Sequence, residues 1–510
     1  MVRGLFMALW LLVAMPGAAR AAWIEVDTPH FIVYANDGAD KVKAFATDLE
    51  RFDKMMRLIR NAPDPALSRN NRLSVYITGD TDDIAKLAGA ANVAGFYRPR
   101  ASGSVAFVPR VSGAGGFNDL DPKQILFHEY THHFMWSVYP NAAYPGWFIE
   151  GFAEFYATAK FRKDGTVEIG YPPQYRADTL LGGNALPIEK LLTADTLKLT
   201  DDQRNGLYGR GWLLVHYLSV GSTERRGQLA AYIRAVNEGK SALEAAEVFG
   251  DLKALDRELE RYKTGRLTGY AVPGDKLPIG EITVRQLTPG EAATMKVRIL
   301  SKNGVDAKTA PGVYDLAKRA CAPFATDPGA QMVLAEAAFD AGDYPAALAA
   351  VDRALAADPN REDAYVYRAM ALMEAAKKAK DSSKPMLSAI RKAISAANRL
   401  DVEDPEPLIL FFQSYVEFGL TPPPISREGM YKAFELAPQD AELRINVARV
   451  YMQDKQYDYA RVILQPLAFD PHNRSMAQAA ASMIAAIDEI RKAEAGAKAK
   501  DSPAPGPAPG

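Results

Sequence analysis

His128-Glu129-Tyr130-Thr131-His132 sets two imidazoles four positions apart with a carboxylate beside the first. Glu150 follows 18 positions after His132, in the run Trp147-Phe148-Ile149-Glu150-Gly151-Phe152-Ala153-Glu154-Phe155. On a helix, residues i and i+4 share a face with Cβ atoms about 5–6 Å apart, so both imidazoles can reach one metal ion. Glu150 provides an anionic third ligand and leaves a fourth position for water, the composition of a catalytic zinc site. Such an ion lowers the pKa of its bound water to roughly 7 and polarises a carbonyl. Glu129 faces the same site without being a ligand. It is placed to take the water's proton and pass it to a leaving amine. Glu154, one turn after Glu150, is a candidate to hold a ligand histidine from behind in the right tautomer. The expected cofactor is therefore one Zn2+ per chain on His128, His132 and Glu150.

Three of the six histidines (His128, His132 and His133) fall in this motif. The competing reading, an amphipathic helix with surface-packed histidines, leaves the two glutamates of the following helix unexplained. His133 points about 100° away from His132 and reads as structural. His30, His216 and His472 have no partner at ligand spacing and read the same way.

Local signals say how these residues are positioned. Asp121 can cap the motif helix, Pro122 suits its first position and Gln124 completes a capping box; the helix runs through Met135 and ends by Pro140. Pro145-Gly146 opens a second helix with Glu150 and Glu154 on one face, ending near Asp164-Gly165. Upstream, Phe31–Tyr34 and Leu73–Ile77 read as strands around a helix over Ala39–Arg60. Ser104–Val108 is a third strand, either an edge on which an extended peptide could pair or an ordinary buried strand. Gly113–Gly116 reads as a linker. Helices follow over Leu207–Val220 and Arg226–Glu238, then a strand over Glu281–Leu287, a helix from the capping box at Thr288–Glu291 to about Ser301, and another over Gly312–Cys321.

The HExxH segment followed by Glu150-Gly151-Phe152-Ala153-Glu154 resembles the gluzincin zinc metallopeptidases of the thermolysin-like and aminopeptidase N-like superfamily. The matched motifs cover residues 128–211. The resemblance implies a thermolysin-like zincin domain of α+β class, with Glu150 as third ligand. It also implies that a tyrosine of a downstream Tyr-x-x-Gly helix stabilises the oxyanion. Tyr208-Gly209-Arg210-Gly211 stands in the corresponding order, which makes Tyr208 the candidate. Taken without the resemblance, Tyr208 is a helix-start tyrosine packed against the core. The Gly-x-Met-Glu-Asn segment that holds a free amine in the aminopeptidases has no counterpart, so endopeptidase activity is favoured. The metzincin pattern is excluded by Met135 and Val138, where it needs glycine and histidine.

The chain of 510 residues divides accordingly. Residues 1–21 have the pattern of a signal peptide: Arg3, an apolar run from Gly4 to Met15, and Ala19-Arg20-Ala21. Residues 22–115 form an α/β part, 116–270 a helical zinc-binding part, and 271–327 a connecting region. Residues 328–495 read as tetratricopeptide-like repeats. Leu334, Ala335, Ala347, Ala354 and Pro359 fall at the repeat's packing positions, and Pro405, Pro438 and Pro471 recur every 33 residues. The longer step from Pro359 to Pro405 implies an insertion at Lys377–Lys384, and Ser475–Ala495 reads as a capping helix. Residues 496–510 read as a disordered tail.

A net charge of −1 gives no electrostatic case for nucleic acid. The lone Cys321 rules out an intramolecular disulfide and reads as a core residue. No segment after residue 22 is apolar enough to span a bilayer. The sequence thus reads as an exported zinc peptidase, periplasmic or secreted, whose partners are a peptide or protein substrate and a protein on the repeats. The alternative is a non-catalytic envelope adaptor that acts through the repeats alone.

Overall fold

The computed structural model describes residues 23–501, apart from 66, 91–92, 111–120 and 183–185. The expected signal peptide and the Gly113–Gly116 linker lie outside these residues. The amino-terminal part is built on a six-stranded sheet. Its strands are β1 (Trp23–Asp27), β2 (Phe31–Asn36), β3 (Leu73–Ile77), β4 (Phe96–Arg98), β5 (Val105–Val108) and, from much later in the chain, β9 (Thr283–Gln286), in the order β4-β5-β3-β2-β1-β9. Strands β2, β3 and β5 run parallel, joined through helices α1 (Ala39–Arg60) and α2 (Thr81–Ala88). Both faces are covered, so the strands are nearly continuous apolar runs. Val33, Ala35, Val75 and Val108 join Leu49, Phe52 and Met56 of α1 on one face. Ile32, Tyr34, Tyr76 and Phe107 meet Ile84 on the other.

The expected strand at Ser104–Val108 is the interior strand β5, buried at all four positions. The edge is β4, which pairs antiparallel with β5. Three residues are too few to leave a periodic signal in sequence.

Helix α3 (Pro122–Val138) carries the HExxH segment and α4 (Gly146–Ala157) carries Glu150 and Glu154. Helix α4 stops at Ala157, short of the expected end near Asp164. The chain instead forms a hairpin of β6 (Lys160–Phe161) and β7 (Val167–Ile169), turning at Asp164-Gly165. Gly165 sits at φ +84°, and the Asp164 carboxylate accepts from Thr166 N at 3.0 Å, so these residues make the tight turn of the hairpin and not the end of a helix. Helices α5 (Ala177–Leu181), α6 (Ile188–Leu192), α7 (Asp201–His216), α8 (Gln228–Asn237), α9 (Ala242–Ala245) and α10 (Leu252–Lys263) follow, and β8 (Tyr270–Val272) adds to β7.

The expected connecting region contributes to the first sheet. Strand β9 pairs antiparallel with β1. Helix α11 (Pro289–Asn303) lays Met295 and Ile299 on the Tyr34–Tyr76 face. Pairing between strands so far apart in the chain leaves no trace in local periodicity.

A long series of helices then forms a solenoid-like array: α12 (Ala310–Cys321), α13 (Pro328–Asp340), α14 (Tyr344–Ala357), α15 (Glu362–Ala379), α16 (Lys384–Leu400), α17 (Pro405–Val416), α18 (Pro424–Leu436), α19 (Ala441–Gln453), α20 (Tyr457–Ala468) and α21 (Arg474–Asp501). Ala335, Ala347 and Ala354 are fully buried where small side chains let paired helices approach. The inserted residues lengthen α15 and α16 to 18 and 17 residues, and Lys377–Lys384 lies at their shared end. The last helix runs on to Asp501, past the point where disorder is expected to begin; Ser502 to Gly510 lie outside the described residues. Cys321 is buried and donates to Ala330 O at 3.2 Å, and burial pushes its thiol up to about 11. Among the described residues no helix is long and apolar enough to cross a membrane.

The turns between successive helical pairs dock on the amino-terminal part. Asn70 donates to Asp404 at 2.7 Å and to Glu362 at 3.1 Å. One repeat further on, Asp440 accepts from Ala101 N at 2.8 Å and Gln439 donates to Ser104 Oγ at 3.3 Å. Arg444, fully buried, donates to the carbonyls of Pro140, Ile463 and Pro438 at 2.6–2.8 Å, which ties the array to the end of α3.

Candidate metal centre

Helix α3 starts as its sequence dictates: Asp121 accepts from Lys123 N at 2.7 Å, and Gln124 answers at Asp121 N at 3.4 Å. Its inner face packs Phe127 and Tyr130 against Phe52 of α1. Tyr130 donates to Asp53 at 2.5 Å, and His133 pairs with Tyr97 of the edge strand at 2.7 Å. These contacts fix the helix rotation and turn His128 and His132 toward α4.

Every residue of α4 from Trp147 to Ala157 is buried, including both carboxylates. A buried carboxylate is costly unless cations or donors meet it. Helix α4 crosses α7 at a glycine pair: a Cβ on Gly151 would stand 2.4 Å from the carbonyl carbon of Gly211. That close approach puts the Tyr208 ring 5.9 Å from the His128 ring.

Three donors converge. His128 Nε2 and His132 Nε2 are 3.1 Å apart, and Glu150 Oε2 lies 3.4 Å from the first and 3.7 Å from the second. A tetrahedral ion with bonds of about 2.0–2.1 Å requires donor separations of about 3.3 Å. Glu150 Oε2 is buried and has no hydrogen-bond partner within the protein. The donor set and its unsatisfied oxygen fit a divalent ion such as Zn2+.

The electrostatics agree. Burial pulls His128 down, but Glu150 and Glu154 outweigh it and raise its pKa; burial carries His132 well below its ordinary value. Burial disfavours ionised Glu150, yet His472 and His128 hold its carboxyl well below the usual range. Burial raises Glu129 against the opposing pull of His128. Tyr208 is raised well above its ordinary value by burial and then by Glu150.

Glu154 lies 3.8 Å from His128 Nδ1, too far for a direct hydrogen bond. Its oxygens accept from Tyr175 at 2.6 Å and from Arg176 at 2.9 and 3.1 Å. Arg176 also lies 4.6 Å over the Tyr208 ring. Neither Tyr175 nor Arg176 gave a sequence signal, because both sit in a single 3-10 turn, Gln174–Arg176, too short to show periodicity.

His472 is in the turn between α20 and α21, and its Nε2 is 3.0 Å from Glu150 Oε1. Partial desolvation at the rim of the site lowers its pKa and Glu150 raises it more, to about 9. It is therefore not the isolated structural histidine that spacing suggested, since its partner lies on another part of the chain.

A second cluster, His30, Asp53 and Asp64, also brings potential metal donors together. Lys54 and Arg57 already pair with its carboxylates, and Glu50 takes His30 Nδ1 at 2.7 Å. Its carboxylates are thus already met by Lys54, Arg57 and the His30 ring. His216 is likewise committed, to Tyr262 at 2.8 Å.

No family model matches this chain, and no curated protein matches it either. Among solved structures it is similar to a thermophilic TPR protein of Thermus thermophilus. The two share 19% identity with a TM-score of 0.33, over 38% of this chain and 98% of that one.

Proposed function

We propose that this chain is a single-zinc metallopeptidase of the gluzincin arrangement, cleaving within extended peptide segments. In this reading the sheet and the helices through α10 form a thermolysin-like zincin domain, and the repeats hold a protein partner. The protein is exported to the periplasm or beyond. The observation that carries the reading is the convergence of His128, His132 and Glu150 within 3.1–3.7 Å, with Glu129 beside the first ligand.

A zinc ion held by these three residues supplies Lewis acidity and a water of lowered pKa. Glu129 takes the proton from the attacking water at its carboxylate and delivers it to the leaving nitrogen. Tyr208 donates its phenol to the oxygen that gains charge as the carbonyl is attacked, a proton its raised pKa keeps in place. Arg176 and Tyr175 hold Glu154 behind His128. Strand β4 presents its outer edge for main-chain pairing with an extended peptide, which binds without strong side-chain preference.

The test is metal analysis with peptide cleavage by the wild type and Glu129→Gln. One zinc per chain with Glu129-dependent cleavage supports the enzyme. No zinc, or cleavage indifferent to Glu129, sinks it and favours an adaptor acting through its repeats.

A further inference from the structure

The repeat array reaches the candidate metal centre through its last turn. Successive inter-repeat turns touch the amino-terminal part at Asn70, then at Ala101 and Ser104, then at Glu150. Pro405, Pro438 and Pro471 recur every 33 residues at these turns, so the contacts share the period of the array. The final turn is well defined: Asp470 accepts from His472 N at 2.8 Å, and Asn473 accepts from Met476 N at 3.2 Å at the start of α21. Glu150 divides its two oxygens among three histidines. Oε2 faces His128 and His132, while Oε1 is 3.0 Å from His472 Nε2. The His472 ring stands 5.0 Å from that of His132, and its side chain is half exposed at the rim.

We infer that His472 is a positioning residue of the metal centre: it donates its Nε2 proton to Glu150 Oε1, turns Oε2 toward the ion, and so makes the centre depend on docking of the repeats. A carboxylate on a rotatable side chain can offer either oxygen or both. A donor fixed on Oε1 selects one and lowers the cost of ordering the site. Partners of this kind are commonly worth 10–100-fold in metal affinity. Anything that lifts the last turn away would loosen the metal, which gives the repeats a role in controlling the site as well as in binding a partner. The inference rests on the zinc-site reading above.

The experiment measures zinc affinity of the full-length apo-protein by competition with a chromophoric chelator, with X-ray absorption to count imidazoles on the zinc. His472→Ala is expected to weaken zinc binding about 10–100-fold. His472→Gln, whose amide nitrogen can still donate, recovers most of that loss. The wild type and His472→Gln both show only the two imidazoles of His128 and His132. Equal affinity in wild type and His472→Ala overturns the inference and leaves the zinc site standing. Three imidazoles in the wild type, with His472→Gln as weak as His472→Ala, also overturns it, because His472 is then itself a ligand. A wild type that takes no zinc overturns the zinc-site reading and this inference with it. Should His472→Ala fail to fold, His472→Met, which keeps bulk and cannot donate, takes its place with the same two outcomes.

Discussion

Tyr208 and Arg176 share a stacked contact at 4.6 Å, and they separate two kinds of consequence. Tyr208→Phe removes the hydroxyl proposed to meet developing charge and leaves His128, His132 and Glu150 in place. We expect kcat to fall roughly 10²–10³-fold with zinc content unchanged; an unaltered kcat in steady-state assays would exclude the oxyanion role. Arg176→Ala acts on the site's support. It takes two donors from the buried Glu154 carboxylate and leaves only Tyr175. Removing one partner of a buried ion pair costs up to about 3–5 kcal/mol. Here the retained Tyr175 contact and the one-fifth exposure of Arg176 place the loss at the lower end. Urea unfolding of the zinc-loaded protein measures it.

At the scale of elements, the site depends on how closely α4 can approach α7. Gly151 lies against the Gly211 main chain, which cannot move aside as a side-chain tip would. Gly151→Ala should therefore cost about 1–3 kcal/mol or more in overpacking. It should also lower activity beyond the stability loss, because the helices that carry Glu150 and Tyr208 are pushed apart. Denaturant midpoints and kcat/KM on folded protein give the two quantities separately. The Glu-Gly pair thus has a steric reason alongside its chemical one: the glycine permits the crossing that sets the glutamate opposite the histidines.

At the scale of the molecule, the seam between array and sheet is rich in acid. Burial and the neighbouring Asp404 raise Glu362. Burial raises Asp404, and burial beside Asp404 and Asp440 pushes Glu406 up to about 7. The folded protein therefore holds more protons at the seam than the unfolded chain, whose carboxyls titrate near pH 4. Raising pH from about 4 through the raised values of these groups, the highest that of Glu362 at about 9, should then weaken the docked state. Urea midpoints at pH 5 and pH 8 should show that loss in the wild type and a smaller one in Glu362→Gln; equal losses would dismiss the seam as its source. Arg444→Met tests the same interface from its other end. It strips the Pro140, Ile463 and Pro438 carbonyls of their donor, at about 1–3 kcal/mol for each left unsatisfied. A separate early melting step of the repeats in calorimetry is the expected outcome.

Features that depend on near neighbours in the chain could be read without coordinates. The capping box at Asp121 and Gln124 starts α3, β-branched and aromatic runs build β2 and β3, and the 33-residue period orders the helical pairs. The i, i+4 spacing of His128 and His132 belongs to the same class, because a helix repeats every 3.6 residues whatever surrounds it. Other features needed tertiary structure, because they join distant segments. Strand β9 completes a sheet begun at Trp23, β4 takes the edge from β5, and Tyr175 and Arg176 close on Glu154 from a short 3-10 turn. His472 looked solitary because sequence spacing registers partners within a few turns, and its partner is on another domain's helix. The amino-acid order by itself determined which donors sit on which helix. Only the packing of α3, α4, α7 and the last repeat turn decided that they meet, since side-chain convergence is a property of how helices cross.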